Sequence, residues 1–222
     1  LSAARSSFME ASTILTANCG ILEEARYMEA EVALAGDLAT GARNALSLHD
    51  YASAIELAHQ VKDEVQRGFK SLLTQMAAAS ERTLSDAESK GVRCRRCRDR
   101  LARAKPSIDF HDYKGARLML DTCDSSLLAA VEAHHTASMM MGSLTEAISR
   151  AAGFGMDVQD AREKAAAVEG LVSSGEYTRG MELSTALLGE IADCEKDLIT
   201  ERMADIRKAL EAGRALGMDI SV

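Results

Sequence analysis

The amino-acid sequence predicts an all-α protein, and three observations support that fold class. Helix-forming residues such as alanine, leucine, glutamate and arginine are abundant, whereas the chain has one proline, no tryptophan and 4% aromatic residues. Long stretches carry apolar residues at the spacing of one helix face. Two short motifs also recur in one register, which indicates an internal repeat.

The first recurring motif reads SLHDY, DFHDY and SSGEY, and its tyrosines recur at nearly equal intervals. In each copy an oxygen-bearing residue stands three positions before an acid, which is typical of a helix N-cap followed by a carboxylate at N3. We therefore predict that a helix begins at each copy, at residues 47–51, 109–113 and 173–177. The predicted N-caps are Ser47, Asp109 and Ser173.

The second recurring motif contains a glycine and keeps the same step, at residues 90–94, 154–158 and 216–220. Each of its glycines follows a long helical pattern, so we predict that the glycine takes a left-handed conformation at a helix C-terminus. These glycines are Gly91, Gly155 and Gly217. Asp157 and Asp219 are predicted to cap the helices that follow. The two motifs divide the chain into alternating stretches of about 20 and about 40 residues.

The long stretches carry an apolar seam with the alternating spacing of four and three residues that is typical of helices packed side by side. In the second long stretch the seam is Ala116, Leu120, Cys123, Leu127, Ala130, His134, Ala137, Met141, Leu144, Ile148 and Ala151. In the first it is Ala54, Ala58, Val61, Val65, Phe69, Leu72, Met76 and Ala79. In the third it is Met181, Ser184, Leu188, Ile191 and Leu198, with a change of register before Ile206 and Leu210.

If each turn reverses the chain, three helices lie side by side at most levels. This connectivity resembles spectrin-type repeats, in which the last helix of one three-helix bundle continues into the first helix of the next. The resemblance is one of topology over about residues 50–217, and the tryptophans of that family are absent. The period of about 63 residues is also shorter than a spectrin repeat. The resemblance implies tandem three-helix bundles that share long continuous helices and form a rod.

The repeat predicts four segments along the chain. Residues 1–70 form an irregular N-terminal helical bundle, 71–132 and 133–196 are repeat bundles, and 197–222 begin a further, truncated repeat of what we expect to be a longer array. The first boundary has two alternatives. The turn lies either at Cys19-Gly20-Ile21 or at Gly36-Asp37-Leu38.

Charge and cysteine content restrict the function classes. A formal net charge of −8 argues against nucleic-acid binding over the whole surface, and no apolar stretch is long enough to span a bilayer. Five cysteines, an odd number, favour reduced thiols and a cytoplasmic location.

Cys94 and Cys97 form a CxxC pair, which could be half of a zinc site with His111 or Cys123, or a redox pair. In the repeat these two cysteines align with the apolar Val158 and Ala161, and Cys123 aligns with Leu187. We therefore interpret them as small apolar residues of the core. His134 of the pair His134-His135 aligns with Leu72, so we interpret it as a hydrogen-bonded or partly exposed seam residue, with a proton switch as the alternative.

Residues 90–105 contain eight basic residues and one acid, Asp99, which gives a local net charge of +7. Four of the cations flank the seam and are expected to pair with Glu81, Glu88, Asp121 and Asp124; these cations are Arg93, Arg98, Arg100 and Lys105. Arg95, Arg96 and Arg103 point outward and form the candidate partner-binding patch. An acidic protein suits this patch better than nucleic acid, because no aromatic residues interleave for base stacking.

The chain has no GxGxxG, Walker, HExxH or GxSxG motif, so no catalytic, cofactor-binding or metal-binding residues are predicted. The expected function is that of a non-enzymatic, elongated helical scaffold or spacer for protein–protein interaction. One alternative is a binding module for nucleic acid or an acidic partner through residues 93–105. Another is an enzyme or metal protein that uses Cys94, Cys97, His111 and His134.

Overall fold

The computed structural model describes residues 2–216, and in this part of the chain it contains seven α-helices and no strand. Four long helices alternate with three short ones. The helices are α1 (Ser2–Tyr27), α2 (Ala33–Ser47), α3 (Tyr51–Ser89), α4 (Arg95–Asp109), α5 (Tyr113–Gly153), α6 (Gln159–Ser174) and α7 (Tyr177–Ala215). The all-α prediction is confirmed. None of these helices is both long and apolar enough to cross a membrane.

All six connections between helices begin with the same pair of backbone hydrogen bonds. At the end of α2, His49 N–H donates to Leu46 O and Asp50 N–H donates to Ala45 O, and His49 has a φ of 62°. This is a Schellman motif, in which a left-handed residue closes the helix. The equivalent left-handed residues are Glu29, Gly91, His111, Gly155 and Gly175. Both recurring sequence motifs therefore contain the left-handed end of a helix.

The prediction that Ser47, Asp109 and Ser173 are N-caps is wrong by three residues. Ser47 and Asp109 end α2 and α4, and Ser173 lies in the last turn of α6. The caps are instead the acids, because Ser53 N–H donates to Asp50 Oδ1 at 3.2 Å and Gly115 N–H donates to Asp112 Oδ1 at 3.0 Å. Each aspartate thus closes one helix with its N–H and caps the next with its carboxylate, so the connection needs only three residues.

The third copy of this motif carries glutamate in place of aspartate and behaves differently. Glu176 is the N-cap residue of α7 but makes no capping bond with its side chain. Its longer side chain pairs with Arg179, with 2.6 Å between Oε2 and Nη1. The predicted cap Asp157 does accept a hydrogen bond at a helix start, from Gln159 N–H at 3.0 Å. Asp219 and Gly217 lie outside the described residues.

Neither alternative for the first boundary is correct. Gly20 lies inside α1 and Gly36 lies inside α2, while the left-handed residue between these helices is Glu29, with a φ of 64°. The interval from Glu29 to Gly91 is nearly equal to the interval from Gly91 to Gly155. The turn between α1 and α2 therefore lies at Glu29. It was missed because the first copy has no glycine at the left-handed position.

We expect Gly20→Ala to raise the free energy of unfolding by about 0.8–1 kcal/mol, because alanine has the higher helix propensity and the space around Gly20 is open. Gly91→Ala should lower it by about 1–2 kcal/mol, because the φ of +88° disfavours any side chain. Urea denaturation followed by circular dichroism measures both changes. Destabilisation by Gly20→Ala would instead indicate that residue 20 is a turn.

The chain divides into two compact units. The first contains the chain up to Asp86 together with residues 95–127, and the second contains residues 87–94 together with the chain from Leu128 onward. In the first unit α1, α2 and α3 pack closely through small residues, since Ala11, Ala35, Ala42 and Ala58 are fully buried. The core of the second unit is formed by residues such as Leu144, Val168 and Leu187, from α5, α6 and α7.

The predicted seam agrees with the buried face along α5, where each of its residues is buried or half-buried. In α3 the predicted seam is buried or half-buried as far as Met76, but after Phe69 the buried residues include Leu73 and Ala77, and the predicted Ala79 is exposed. In α7 the residues up to Ile191 are buried or half-buried, but Ile206 and Leu210 are exposed. The predicted seam of α7 is thus buried or half-buried as far as Leu198, and beyond it Arg202 donates to Phe154 O at 2.6 Å.

Candidate functional site

The basic patch of Arg95, Arg96 and Arg103 lies on α4 in the first unit. The opposite face of α4 is fixed in the core by Cys97, Leu101, Ala104 and Ile108, which are all buried. The three arginines are exposed, as predicted. The acid beside them, Asp99, approaches Arg95 at 3.9 Å. The patch can therefore attract an anionic group, although each contact would be screened by water and salt.

Other cations of α4 are used inside the first unit. Lys105 pairs with Glu81 of α3 at 2.5 Å, as predicted. Arg100 donates to Thr122 O at 2.8 Å and to Ser126 Oγ, so the prediction that it pairs with an acid is wrong. These bonds attach α4 to α3 and α5.

Two of the acids expected to receive the α4 cations have other partners. Asp121 pairs with Arg117 one turn away on α5, at 3.0 Å. Asp124 accepts a hydrogen bond from the buried Ser80 of α3 at 2.7 Å. These two contacts replace the predicted pairing of Asp121 and Asp124 with cations of α4.

Cys97 and Cys123 form a disulfide bond that joins α4 to α5 in the first unit. Both residues are fully buried, so their prediction as core positions is confirmed. The prediction of reduced thiols is wrong for this pair, because the seams of the two helices face each other and bring the cysteine Cα atoms within 4.2 Å. Cys19, Cys94 and Cys194 are not part of a disulfide bond.

The residues considered for a metal site do not form a group of three ligands, although two of them, Cys97 and Cys123, are joined. Cys94 is buried just before α4 begins, where the corresponding residue before α6 is the buried Val158. Cys97 is bonded to Cys123 and so is not paired with Cys94. Within residues 2–216, no three histidine, cysteine or acidic side chains are grouped closely enough to hold a metal ion.

His134 contacts the ring of Tyr177 edge-on in the second unit, with 5.6 Å between the ring centroids. Each motif tyrosine packs against an aromatic ring of the preceding long helix, since Phe8 contacts Tyr51 and Phe69 stacks on Tyr113. His134 therefore has the role of a packing ring. Sequence analysis missed this pairing, although the aromatic residues at positions 8, 69 and 134 have nearly the same step as the tyrosines.

The tyrosine hydroxyls also stabilise the turns. A hydrogen bond of 2.7 Å joins His111 Nδ1 to Tyr113 Oη, while Arg93 N–H donates to Tyr177 Oη at 2.6 Å. Burial raises the pKa of Tyr113, and the positive charge of Lys70 offsets part of this effect. These hydrogen bonds connect each tyrosine to a turn between helices, and we assign them a role in stabilising the turns.

A groove of about 400 Å³ lies between α5 and α6 in the second unit. Its floor is apolar and includes Leu144, Ile148 and Ala165, while Arg162 and Glu169 line it with opposite charges. It contains no cysteine or histidine and no pair of carboxylates that could act together as acid and base. A smaller cavity of about 210 Å³ in the first unit is lined by His111 and Tyr113.

Ion pairs attach the first half of α7 to its neighbours in the second unit. Arg150 of α5 pairs with Glu195 at 2.9 Å, and Lys164 of α6 pairs with Glu190 at 2.7 Å. Hydrogen bonds to Glu190 and Asp160 raise the pKa of Lys164, so its charge is retained. Beyond these pairs, α7 has several exposed apolar residues, among them Met203 and Ile206.

Comparison of the chain with family models, with curated proteins and with solved structures finds no match in any of the three.

Proposed function

We propose that this chain is a non-enzymatic helical scaffold or spacer that presents surfaces to other proteins. In this proposal three-helix bundles follow one another with a period of about 63 residues, and they share long helices in the manner of spectrin-type repeats. The observation that carries the proposal is the alternation of long and short helices. α3, α5 and α7 have 39, 41 and 39 residues, whereas α2, α4 and α6 have 15, 15 and 16.

The continuity of α5 supports the sharing of helices. It is one uninterrupted helix, yet residues 113–127 belong to the first compact unit and residues from Leu128 onward belong to the second. In this proposal a helix shared in this way, and not a flexible linker, is the connection between successive bundles. A spacer needs this property, because a flexible connection would let the presented surfaces move independently.

The repeated turns support the proposed period. The left-handed residues Glu29, Gly91 and Gly155 form one series, and His49, His111 and Gly175 form a second. Counted in residues, the two intervals between successive turns are nearly equal within each series. Both series also show the same two intervals in the same order. Six turns of one design are typical of chains built by repetition of a single unit.

Small-angle scattering tests the proposal, with an expected radius of gyration well above the ~17 Å of a compact 222-residue domain. Ala129→Pro is the matched variant, because Ala129 is exposed in the middle of α5 and proline interrupts a helix at a cost of about 3 kcal/mol. The variant should have a different maximum dimension, whereas Ala129→Ser should not. A radius near that of a compact domain in the unmodified chain would contradict the spacer.

The exposed arginines of the basic patch favour a second candidate function, which is binding of an acidic partner or nucleic acid through α4. The bonds of Arg100 and Lys105 to neighbouring helices leave Arg95, Arg96 and Arg103 as the contact residues. Binding of RNA or polyglutamate that weakens steeply with salt would favour this function over a spacer. A cytoplasmic location stays a prediction, and the Cys97–Cys123 bond weighs against it.

A further inference from the structure

The second half of α7 carries an apolar stripe on its surface, which we call the α7 stripe. It consists of Ile199, Met203, Ile206 and Leu210, at successive spacings of four, three and four residues. Their exposed fractions are 53%, 58%, 54% and 39%. At about 100° per residue, the centre of the stripe lies about 110° around α7 from the midpoint of Leu187 and Ile191, which belong to the core of the second unit. Spacing of this kind is typical of a seam between helices.

The corresponding residues of α3 are buried. α3 and α7 both begin at a motif tyrosine, and Leu73 has the same position relative to the start of α3 as Ile199 has relative to the start of α7. The full set of counterparts is Leu73, Ala77, Ser80 and Leu84, with exposed fractions of 0%, 3%, 3% and 7%. α4 and α5 bond to this part of α3 through the Lys105–Glu81 and Ser80–Asp124 contacts. The face of α3 that corresponds to the α7 stripe is therefore covered by other helices of this chain.

The charges beside the two faces are opposite. Glu81 of α3 corresponds to Arg207 of α7, counted from the first residue of each helix. By the same count Glu88 corresponds to Arg214. On α3, Glu81 meets the basic helix α4 through its ion pair with Lys105. On α7 the equivalent edge is basic, so a helix in the place of α4 must be acidic to form the same pairs.

The acids of this part of α7 lie away from the stripe. At about 100° per residue, Arg207 and Arg214 lie about 50–70° from the centre of the stripe, whereas Glu201, Asp205 and Glu211 lie about 110° or more from it. Lys208 pairs with Asp205 on that far side, at 3.6 Å. The edge that a partner helix would meet is thus positive, and the compensating carboxylates face elsewhere.

We propose that the α7 stripe binds an acidic amphipathic helix of another protein, about as long as α4. The partner's apolar residues cover Ile199, Met203, Ile206 and Leu210, and its carboxylates pair with Arg207 and Arg214. A second copy of this stripe is a poor occupant, because two antiparallel copies would bring arginine edges together. A membrane surface is disfavoured by the narrow, seam-like spacing, since helices that lie on membranes carry a broader apolar face.

The test uses two stapled peptides made from residues 95–109, with Cys97 replaced by alanine. The first keeps the basic α4 sequence, and in the second every arginine and lysine is replaced by glutamate. Fluorescence anisotropy with the whole chain should show the acidic peptide binding at least about tenfold more tightly, since two or three ion pairs replace as many repulsions. The preference should weaken as salt rises.

The Arg207→Glu/Arg214→Glu double variant should reverse the preference, and Ile206→Ser should weaken binding of either peptide. Lys208→Glu is the control, because Lys208 lies on the far side of α7, and it should leave the preference unchanged. Circular dichroism checks that the variants keep their helix content, as expected for exposed positions. No binding, equal binding of the two peptides, or a preference that the double variant leaves unchanged would overturn the proposal.

Two further measurements address other occupants. Sedimentation velocity that shows dimers lost in Ile206→Ser would assign the stripe to a second copy of this chain and overturn the proposal. Binding to phosphatidylserine vesicles that is lost in the same variant would assign the stripe to a membrane surface and would also overturn the proposal. The inference rests on the proposed scaffold function, but scattering tests that function separately. If scattering gives the large radius of gyration expected of a spacer but neither peptide binds, the acidic partner is excluded and the scaffold function is not.

Discussion

Leu120→Ala is expected to lower the free energy of unfolding of the first unit by about 2–5 kcal/mol. Leu120 is fully buried on α5, among the seam residues that face α3 and α4. Truncation to alanine removes buried apolar surface and leaves a cavity that the surrounding helices can fill only in part. A loss of this size is a large fraction of the stability of a domain.

Leu118→Ala is the matched control, because Leu118 lies two residues away on the same helix and is 65% exposed. Its effect should stay within about 0.5 kcal/mol. Urea denaturation followed by circular dichroism at 222 nm measures both variants, and where two transitions are resolved only that of the first unit should shift. Similar losses in the two variants would show that the buried face of α5 is not the one described.

Loss of the Cys97–Cys123 bond is expected to cost about 3 kcal/mol, because the bond closes a loop between residues 26 apart and so restricts the unfolded chain. Cys123→Ser removes the bond and also places a hydroxyl in the core. Cys123→Ala separates the two effects, since alanine removes the bond without adding a polar group. Both variants should unfold at lower urea concentration than the oxidised protein.

A thiol titration in denaturant tests the bond directly. Without reductant it should find the three thiols of Cys19, Cys94 and Cys194, and after reduction it should find all five cysteines. In the folded protein Cys194 should react first because it is exposed, and Cys94 should react slowly because it is buried. Five thiols without reductant would contradict the pairing and restore the prediction of reduced cysteines.

The helices were predictable because their ends are encoded locally. Glycine at Gly91 and Gly155 marks a left-handed residue, and the acids Asp50 and Asp112 mark a helix start within a few residues. The exact cap could not be predicted, because a Schellman turn and an N-cap overlap in the same three residues. Glu29 was missed for a related reason, since glutamate is not a residue that normally marks a left-handed position.

The surfaces were predictable only in part. The outward position of Arg95, Arg96 and Arg103 follows from the heptad set by Cys94 and Cys97, and it is confirmed by their exposure. The partners of Arg100 were not predictable, because a guanidinium can satisfy its donors with a carbonyl and a hydroxyl as well as with a carboxylate. Burial of Leu73 in place of Leu72 depends on how α3 rotates against its neighbours.

The sequence by itself determined the all-α class, the left-handed helix ends at Gly91 and Gly155 and the apolar seam of α5, because helix propensity, left-handed residues and apolar spacing act over a few neighbouring residues. Only the tertiary structure decided which seam positions meet, as in the bond between Cys97 and Cys123 and the contact of His134 with Tyr177. It also decided that the stripe on α7 lies exposed while its counterpart on α3 is buried. Burial depends on residues far away in the sequence, so similar apolar spacing can be buried in one helix and exposed in another.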